Sequence, residues 1–412
     1  MTKYLLLFYI FFSVEFSAQT TKYSKYVDTL CSDYFRGRGY VDNGHLKAAN
    51  FLSNEYKNIG LTSLNRNGYF QKFNIDVNTF PEKISLKIND KILIPGEEFM
   101  IEPYSNSLKG IYSIEEVDLT NWKSHLNKKN INKQLFLALD VSEILNKDTL
   151  SLYNEIKNVL NNQYPILWIS SKNLQWSVAD FLSPFPIIKV KENLKLGSLS
   201  KLEIDCKNQF QKALQTQNVI GSINGNSKKI IIISAHYDHL GMMGDVKFPG
   251  ANDNASGVSL LLNLANYYNK NIPKYNIVFI CFGAEEAGLK GSKFFTNYPL
   301  INLEKVKLLI NLDIVGTGDE GIAIVNAFEQ EKVAKIIGKI NSKKNIFNRI
   351  KLRGQAPNSD HYWFSKQNVP SIFIYTLGGI KAYHDPLDKY ETLPLNKLED
   401  LQKMVVELIR KL

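Results

Sequence analysis

The sequence predicts an α/β fold in which helices sandwich a mixed β-sheet, interrupted by a smaller β-rich inserted domain. Three observations carry the prediction. Continuous apolar runs at Ile230–Ile233, Ile277–Phe282 and Leu308–Leu312 have the character of strands covered on both faces. Segments with helical texture lie between them, giving alternating strand and helix units. Between about residues 81 and 205 that alternation gives way to short strand-like runs separated by polar or proline-containing turns.

Taken in order, the chain opens on a targeting segment. Lys3 supplies a positive start, Tyr4 to Val14 an apolar stretch too short to span a bilayer, and Ser17-Ala18-Gln19 a small-residue cleavage point. Residues 1–18 are therefore read as a signal peptide, and the mature chain as an exported protein, periplasmic or secreted, with no stable membrane insertion. Residues 19–80 read helix, helix, strand. Leu46 to Ile59 has helical periodicity and stops at Gly60, and Tyr69 to Ile75 alternates as a strand does. Residues 81–205 carry strand-like runs at Ile84–Ile88, Lys91–Ile94, Gln134–Leu139, Pro165–Ile169 and Ile187–Val190. The histidine in this part, His125, lies in a Lys- and Asn-rich stretch and is expected to be solvated. From 206 to 412 the reading is strand Lys229–Ser234, helix Ser256–Tyr268, strand Asn276–Phe282, short helix Ser292–Tyr298, strands Leu308–Leu312 and Ile322–Val325, helix Gln330–Ile340, strand Ser371–Tyr375 and a terminal helix over Leu395–Leu412.

Bulk properties narrow the function classes. The 412 residues are 44% hydrophobic and 22% charged, a globular composition with enough chain for a large core. The net charge of +10 comes almost wholly from dispersed lysines; the arginines are Arg36, Arg38, Arg66, Arg349, Arg353 and Arg410. That pattern lacks the clustered arginines and aromatics of a nucleic-acid binder, so no nucleic-acid partner is expected. Export permits disulfides. Cys281 sits in an apolar run and reads as a buried thiol, Cys31 and Cys206 are the pair that could be joined, and the spacing fits no zinc knuckle or redox motif.

The chemistry-bearing groups follow the strands. His236 comes just after the strand ending at Ser234, Glu285 and Glu286 after the strand ending at Phe282, Asp313 directly after Leu312, and His384 in the loop beyond Tyr375. In open α/β sheets ligands gather at the carboxyl ends of the strands. Asp253 stands in the loop before the Ser256 helix. Each has an ordinary explanation alone: a solvated histidine, a helix cap at Asp253, a solvated Glu285-Glu286 turn. Asp313 is harder to dismiss, since a carboxylate ending an apolar strand is poorly solvated. Two histidines and several carboxylates delivered to one edge supply the donors of a hydrolytic zinc centre.

At this point the chain resembles the co-catalytic dizinc aminopeptidase family, which includes secreted bacterial leucine aminopeptidases and has glutamate carboxypeptidase and the transferrin receptor as more distant relatives. The resemblance rests on Ser234-Ala235-His236-Tyr237-Asp238-His239, Gly250-Ala251-Asn252-Asp253-Asn254-Ala255-Ser256-Gly257, Gly283-Ala284-Glu285-Glu286-Ala287-Gly288-Leu289, Asn311-Leu312-Asp313 and Tyr383-His384. Gly37-Arg38, Asn218-Val219-Ile220-Gly221 and Ser359-Asp360-His361 are similar to family segments as well. It covers roughly residues 22–80 and 206–412; the insert resembles a protease-associated domain only loosely.

The resemblance implies a zinc exopeptidase-like fold with two Zn2+ per chain, one held by His236 and Asp313, the other by Glu286 and His384, with Asp253 bridging them. It implies a cis peptide after Asp253, Glu285 as general base, and Asp238 as the carboxylate orienting His236. Tyr383, next to a ligand, is placed to donate to a tetrahedral oxyanion. Asp360 and His361 read as structural, His239 as support for its loop, and Asp388 as a supporting residue or a helix cap; His45 is given no role. Loops Gly241–Phe248 and Gly316–Gly321 are expected to wall the substrate pocket. The activity implied is an aminopeptidase acting on peptides. Rivals are a carboxypeptidase of the same fold, for which Arg353 or Lys351 would meet the substrate carboxylate, a glutaminyl cyclase, and an inactive binding homologue.

Overall fold

The computed structural model describes residues 22–66, 68–126, 134–191, 194, 196, 197 and 199–412. The stretch read as a signal peptide lies outside the described residues. Among the described residues nine strands form the main sheet. Four of them are its parallel centre, in the spatial order Tyr275–Phe282, Ser227–His236, Val306–Leu312, Ser371–Leu377. Gln209–Ile223 pairs antiparallel on one side and Gly321–Val325 antiparallel on the other, with Ile350–Leu352 at the far edge. Phe70–Thr79 and Thr62–Ser63 pair with Gln209–Ile223.

The central strands are apolar along their length because both faces are covered. Ile231 and Ile233 point into a core built with the helices Gly44–Ile59, Ser256–Lys270, Glu331–Lys344 and Leu398–Lys411, contributing Leu52, Leu261, Ile337 and Leu401. Ile230 and Ile232 point the other way, against Phe295 and Phe364 of Lys290–Asn297 and His361–Lys366. The period of two in a strand sends neighbours to opposite faces, and here each face meets a helical layer. A parallel sheet so arranged puts every central strand's carboxyl end on the same edge.

A second sheet of eight strands occupies residues 85–206. Its order is Lys91–Leu93, Ser85–Ile88, Lys201–Cys206, Leu108–Glu116, Leu135–Asp140, Ile166–Ile169, Ile187–Val190, Phe99–Ile101. This part is more helical than its sequence texture suggests. Lys147–Leu160 is a helix capped by Asn146, whose side chain accepts from the Thr149 amide at 2.9 Å. Only Tyr153, Ile156 and Leu160 of it are buried, so its apolar stripe is too thin to declare itself in the sequence. The strands Phe99–Ile101, Leu108–Glu116, Lys201–Cys206 and Gln209–Ile223 are likewise not anticipated. The last is polar over its outer half, where it pairs with Phe70–Thr79. His125 is also corrected: it is 1% exposed, edge-on to Tyr164 with ring centroids 6.0 Å apart and 3.5 Å from the Glu115 carboxylate. The three cysteines are free and buried in separate surroundings, Cys281 beside the Tyr56 hydroxyl and Cys31 and Cys206 in different cores. Burial pushes each thiol up to about 12. Among the described residues no helix is long and apolar enough to cross a membrane.

The N-terminal segment is tied to the site edge by Arg38, which is completely buried. Its Nε donates to the Tyr237 carbonyl at 2.8 Å, Nη1 to Leu30 at 3.2 Å and Pro249 at 2.6 Å, and Nη2 to Gly250 at 2.8 Å and Asp253 at 3.3 Å. The flanking glycines permit this approach, since a side chain on Gly37 or Gly39 would collide with the Gly241 backbone. Five carbonyls from three segments thus converge on one guanidinium. Removing it would take a buried donor from each of them. Arg38→Met should lower stability by at least about 3 kcal/mol in urea unfolding, and Arg38→Lys should restore only part of it, because an ammonium lacks the planar fork of donors. A loss below about 1 kcal/mol for Arg38→Met would remove this role.

Candidate metal centre

The parallel edge gathers the predicted groups. His236 ends its strand, Asp313 follows Leu312, and the Glu285-Glu286 turn follows Phe282. Asp253 sits at the head of the Ser256–Lys270 helix, and its peptide bond to Asn254 is cis. The Asp253 carboxylate is central. One oxygen lies 3.1 Å from His236 Nε2 and the other 3.4 Å from His384 Nε2. His236 Nε2 is also 3.2 Å from Asp313 Oδ1, and His384 Nε2 is 3.2 Å from Glu286 Oε2. Two donor sets therefore share one carboxylate, with an oxygen for each. His236, Asp253 and Asp313 offer ligand atoms all within 4.8 Å of one another, a spacing that suits a metal ion.

The donor chemistry fits divalent cations. Burial opposes charge on both histidines, yet the carboxylates overcome it. Glu285 and Asp313 hold His236 well above its ordinary pKa, and Glu286 and Asp253 raise His384 to about 11. Asp253 and Glu286 are driven down against burial, Asp253 chiefly by both histidines and Glu286, to about 2, chiefly by His384. Such a packed anionic group calls for positive charge, which bound metal ions provide more strongly than protonated imidazoles. Glu285 lines the cavity, and burial raises its pKa well above the carboxylate range.

Supporting contacts come from places the motifs do not display. His236 Nδ1 bonds to the backbone carbonyl of Asp238 at 3.1 Å, so the expectation that the Asp238 carboxylate orients this ring is corrected. That carboxylate instead accepts the amides of Glu285 at 3.1 Å and Glu286 at 3.3 Å and braces their turn. Asp388 does the same for the bridge, accepting from the amides of Asn252 at 2.8 Å and Asp253 at 3.0 Å. Asp313 is held by the Ser359 hydroxyl at 2.7 Å, which in turn accepts from Asn311. His239, read as loop support, donates through Nδ1 to Glu286 Oε1 at 2.7 Å, and its Nε2 is buried with no hydrogen-bond partner among the described residues. His239, Asp253 and Glu286 also group closely enough to hold an ion. His384 Nδ1 donates to the Trp176 carbonyl at 3.0 Å and its own carbonyl accepts the Trp176 amide at 3.0 Å. This reciprocal clamp arrives from beside the second sheet, and nothing in the local sequence announces it.

The cavity at this edge measures about 290 Å³ and is lined by His236, Asp253, Glu285, Glu286, Asp313 and His384 together with Ile314, Arg353, Asn358, Phe373, Tyr375 and Tyr383. Tyr383 stacks on His384 at 4.0 Å between ring centroids and stays 44% exposed. Asp360 and His361 are buried and do not line the cavity. His45 is buried against Tyr40. Neither loop expected to form the pocket walls does so. Gly241–Phe248 is a hairpin whose Phe248 stacks on Trp176 at 4.9 Å, turning it toward the second sheet. Gly316 and Gly318 pack against Leu393 and Lys397.

The fold is similar to that of solved zinc aminopeptidases. The crystal structure of BSAP, a zinc aminopeptidase from Bacillus subtilis, superposes with a TM-score of 0.71 at 18% identity, covering 95% of each chain. Residues 218–409 match the sequence pattern of peptidase family M28. Aminopeptidase YwaD of Bacillus subtilis (strain 168) is 30% identical over 233 residues, which are 53% of this chain. The alignment spans 50% of YwaD, so the chain matches half the length of that relative. Glutaminyl-peptide cyclotransferase of Drosophila melanogaster is 23% identical over 228 residues, 47% of this chain and 64% of that protein.

If Asp388 fixes the backbone of the bridging carboxylate, Asp388→Ala should weaken zinc binding about 10- to 100-fold. Competition with a chromogenic chelator measures it, with circular dichroism checking the fold. Unchanged affinity would mean that Asp388 does not support the bridge.

Proposed function

We propose that this peptidase is an exported aminopeptidase that holds two zinc ions and removes N-terminal residues from peptides. The observation that carries the reading is the Asp253 carboxylate, whose two oxygens face His236 and His384 separately at 3.1 and 3.4 Å. His236 and Asp313 would hold one ion, Glu286 and His384 the other, with Asp253 common to both. When bound, the zinc ions supply Lewis acidity that polarises a peptide carbonyl and acidifies a water.

Glu285 would take the proton from that water and carry it to the leaving amine, as its free carboxylate and raised pKa suit it to do. Asp238 keeps it in place by gripping its amide. Tyr383 would donate its hydroxyl to the developing oxyanion, its ring steadied on His384. His239 holds Glu286 from behind, and Trp176 fixes the tautomer of His384 so that Nε2 faces the centre. A one-zinc cyclase would not require the full set of five donors.

Chelator-stripped protein should lose activity and regain it on addition of about two zinc ions per chain. Unblocked aminoacyl anilides should be cleaved and N-blocked peptides left intact; cleavage of blocked peptides from the C-terminus would defeat the aminopeptidase assignment. Glu285→Ala should reduce kcat about 100- to 10,000-fold with both ions retained. His384→Ala should lower the zinc stoichiometry toward one, whereas His239→Ala should keep two ions at reduced affinity; the reverse result would exchange their roles. Because both histidines of the stripped protein are held protonated at neutral pH, zinc binding at pH 7 should release protons. Calorimetry in buffers of differing ionisation enthalpy detects this, and identical heats in all of them would contradict the arrangement.

A further inference from the structure

The cavity has a cationic wall that the mechanism leaves unused. Arg353 lines it beside Ile314, Asn358, Phe373 and Tyr375. Its backbone is fixed on both sides, the amide donating to Ile324 and the carbonyl accepting from Ala327, each at 2.9 Å. Its side chain is fixed as well. Nη1 donates to the Tyr375 hydroxyl at 2.8 Å, and the guanidinium lies 5.7 Å from the centre of that ring. The partner is a neutral phenol. Among the described residues no aspartate or glutamate forms an ion pair with Arg353, although four carboxylates share its cavity.

A guanidinium held in this way has donors left over in a planar fork, which matches a carboxylate with two parallel hydrogen bonds. The surfaces next to it are apolar or aromatic and suited to a short methylene stem, with Asn358 adding a neutral polar group. A cation kept only to balance the acidic centre would act on all substrates alike. One that receives a carboxylate discriminates between an acid and its amide, since the two differ little in shape.

We propose that Arg353 is the specificity residue of this cavity and receives a carboxylate of the substrate, its stem lying against Phe373 and Tyr375. The proposal rests on the peptidase reading. The carboxylate belongs either to an acidic N-terminal side chain or to the C-terminus of a short peptide, and the experiment separates the two. With the zinc-loaded enzyme, kcat/KM is measured for glutamyl and glutaminyl 4-nitroanilides, and for Leu-Gly and its C-terminal amide. One acid-to-amide ratio should exceed about 10-fold, and which ratio it is identifies the source. Arg353→Gln should bring that ratio close to one, and Arg353→Lys, which keeps the charge but loses the fork, should leave part of it. Ratios near one in the unaltered enzyme, or a ratio that survives Arg353→Gln, would overturn the proposal while leaving the peptidase reading intact. Should no substrate be cleaved, the peptidase reading fails, and calorimetric binding of L-glutamate against L-glutamine then decides the role of Arg353. A preference of about 10-fold for glutamate that disappears in Arg353→Gln supports it; equal binding refutes it.

Discussion

The structure depends on one buried cation. Arg38 takes a guanidinium into the interior and finds five backbone carbonyls there, from the first helical segment, the His236 strand end and the Asp253 loop. Loops at the edge of a parallel sheet carry carbonyls that no strand partner satisfies, and a buried one without a donor is costly. A single planar fork meets that demand in three segments at once. It also fixes their separation, which sets where His236 and Asp253 stand relative to each other. Gly37, Gly39 and Gly241 matter because the backbones must touch for the fork to reach.

A second level of order follows the same principle with the sign reversed. Asp238 and Asp388 are buried carboxylates that accept backbone amides at the turns bearing Glu285, Glu286 and Asp253. Burial raises both pKa values, Asp238 to about 6, against the pull of the amides each accepts. Each holds the main chain of an acidic residue while leaving its side chain free. The result is a cluster whose carboxylates are positioned through their backbones, with their oxygens left for cations.

The second sheet takes part in this arrangement. Trp176 is packed against Phe248, donates its indole N–H to Ile101 at 2.8 Å, and exchanges two main-chain-mediated hydrogen bonds with His384. His384 lies on a loop seven residues beyond the end of its strand, too far for the strand alone to aim it. The contacts beside the second sheet therefore supply stiffness that the Ser371–Leu377 strand alone lacks there. A histidine donor needs its second nitrogen committed elsewhere, and this is where that commitment is made.

The sequence by itself determined the central strands, most of the helices packed on them and the groups that meet at the site. Apolar runs such as Ile230–Ile233 can be buried only in a two-sided sheet, and a parallel sheet puts its strand ends together. Asp313 was legible because it closes such a run. Other parts were not legible, for identifiable reasons. The Lys147–Leu160 helix buries only one narrow stripe, and the Gln209–Ile223 strand is mostly polar where it leaves the core. His125 sits among lysines and asparagines in sequence but under Tyr164 in space. Only the tertiary structure decided that Asp238 grips amides rather than the His236 ring, that Trp176 holds His384, and that Arg353, not the Gly241–Phe248 or Gly316–Gly321 segment, walls the cavity. Those contacts join residues distant along the chain, largely through backbone atoms that every residue shares. Local sequence carries the identity of a donor, whereas its partner is chosen by packing.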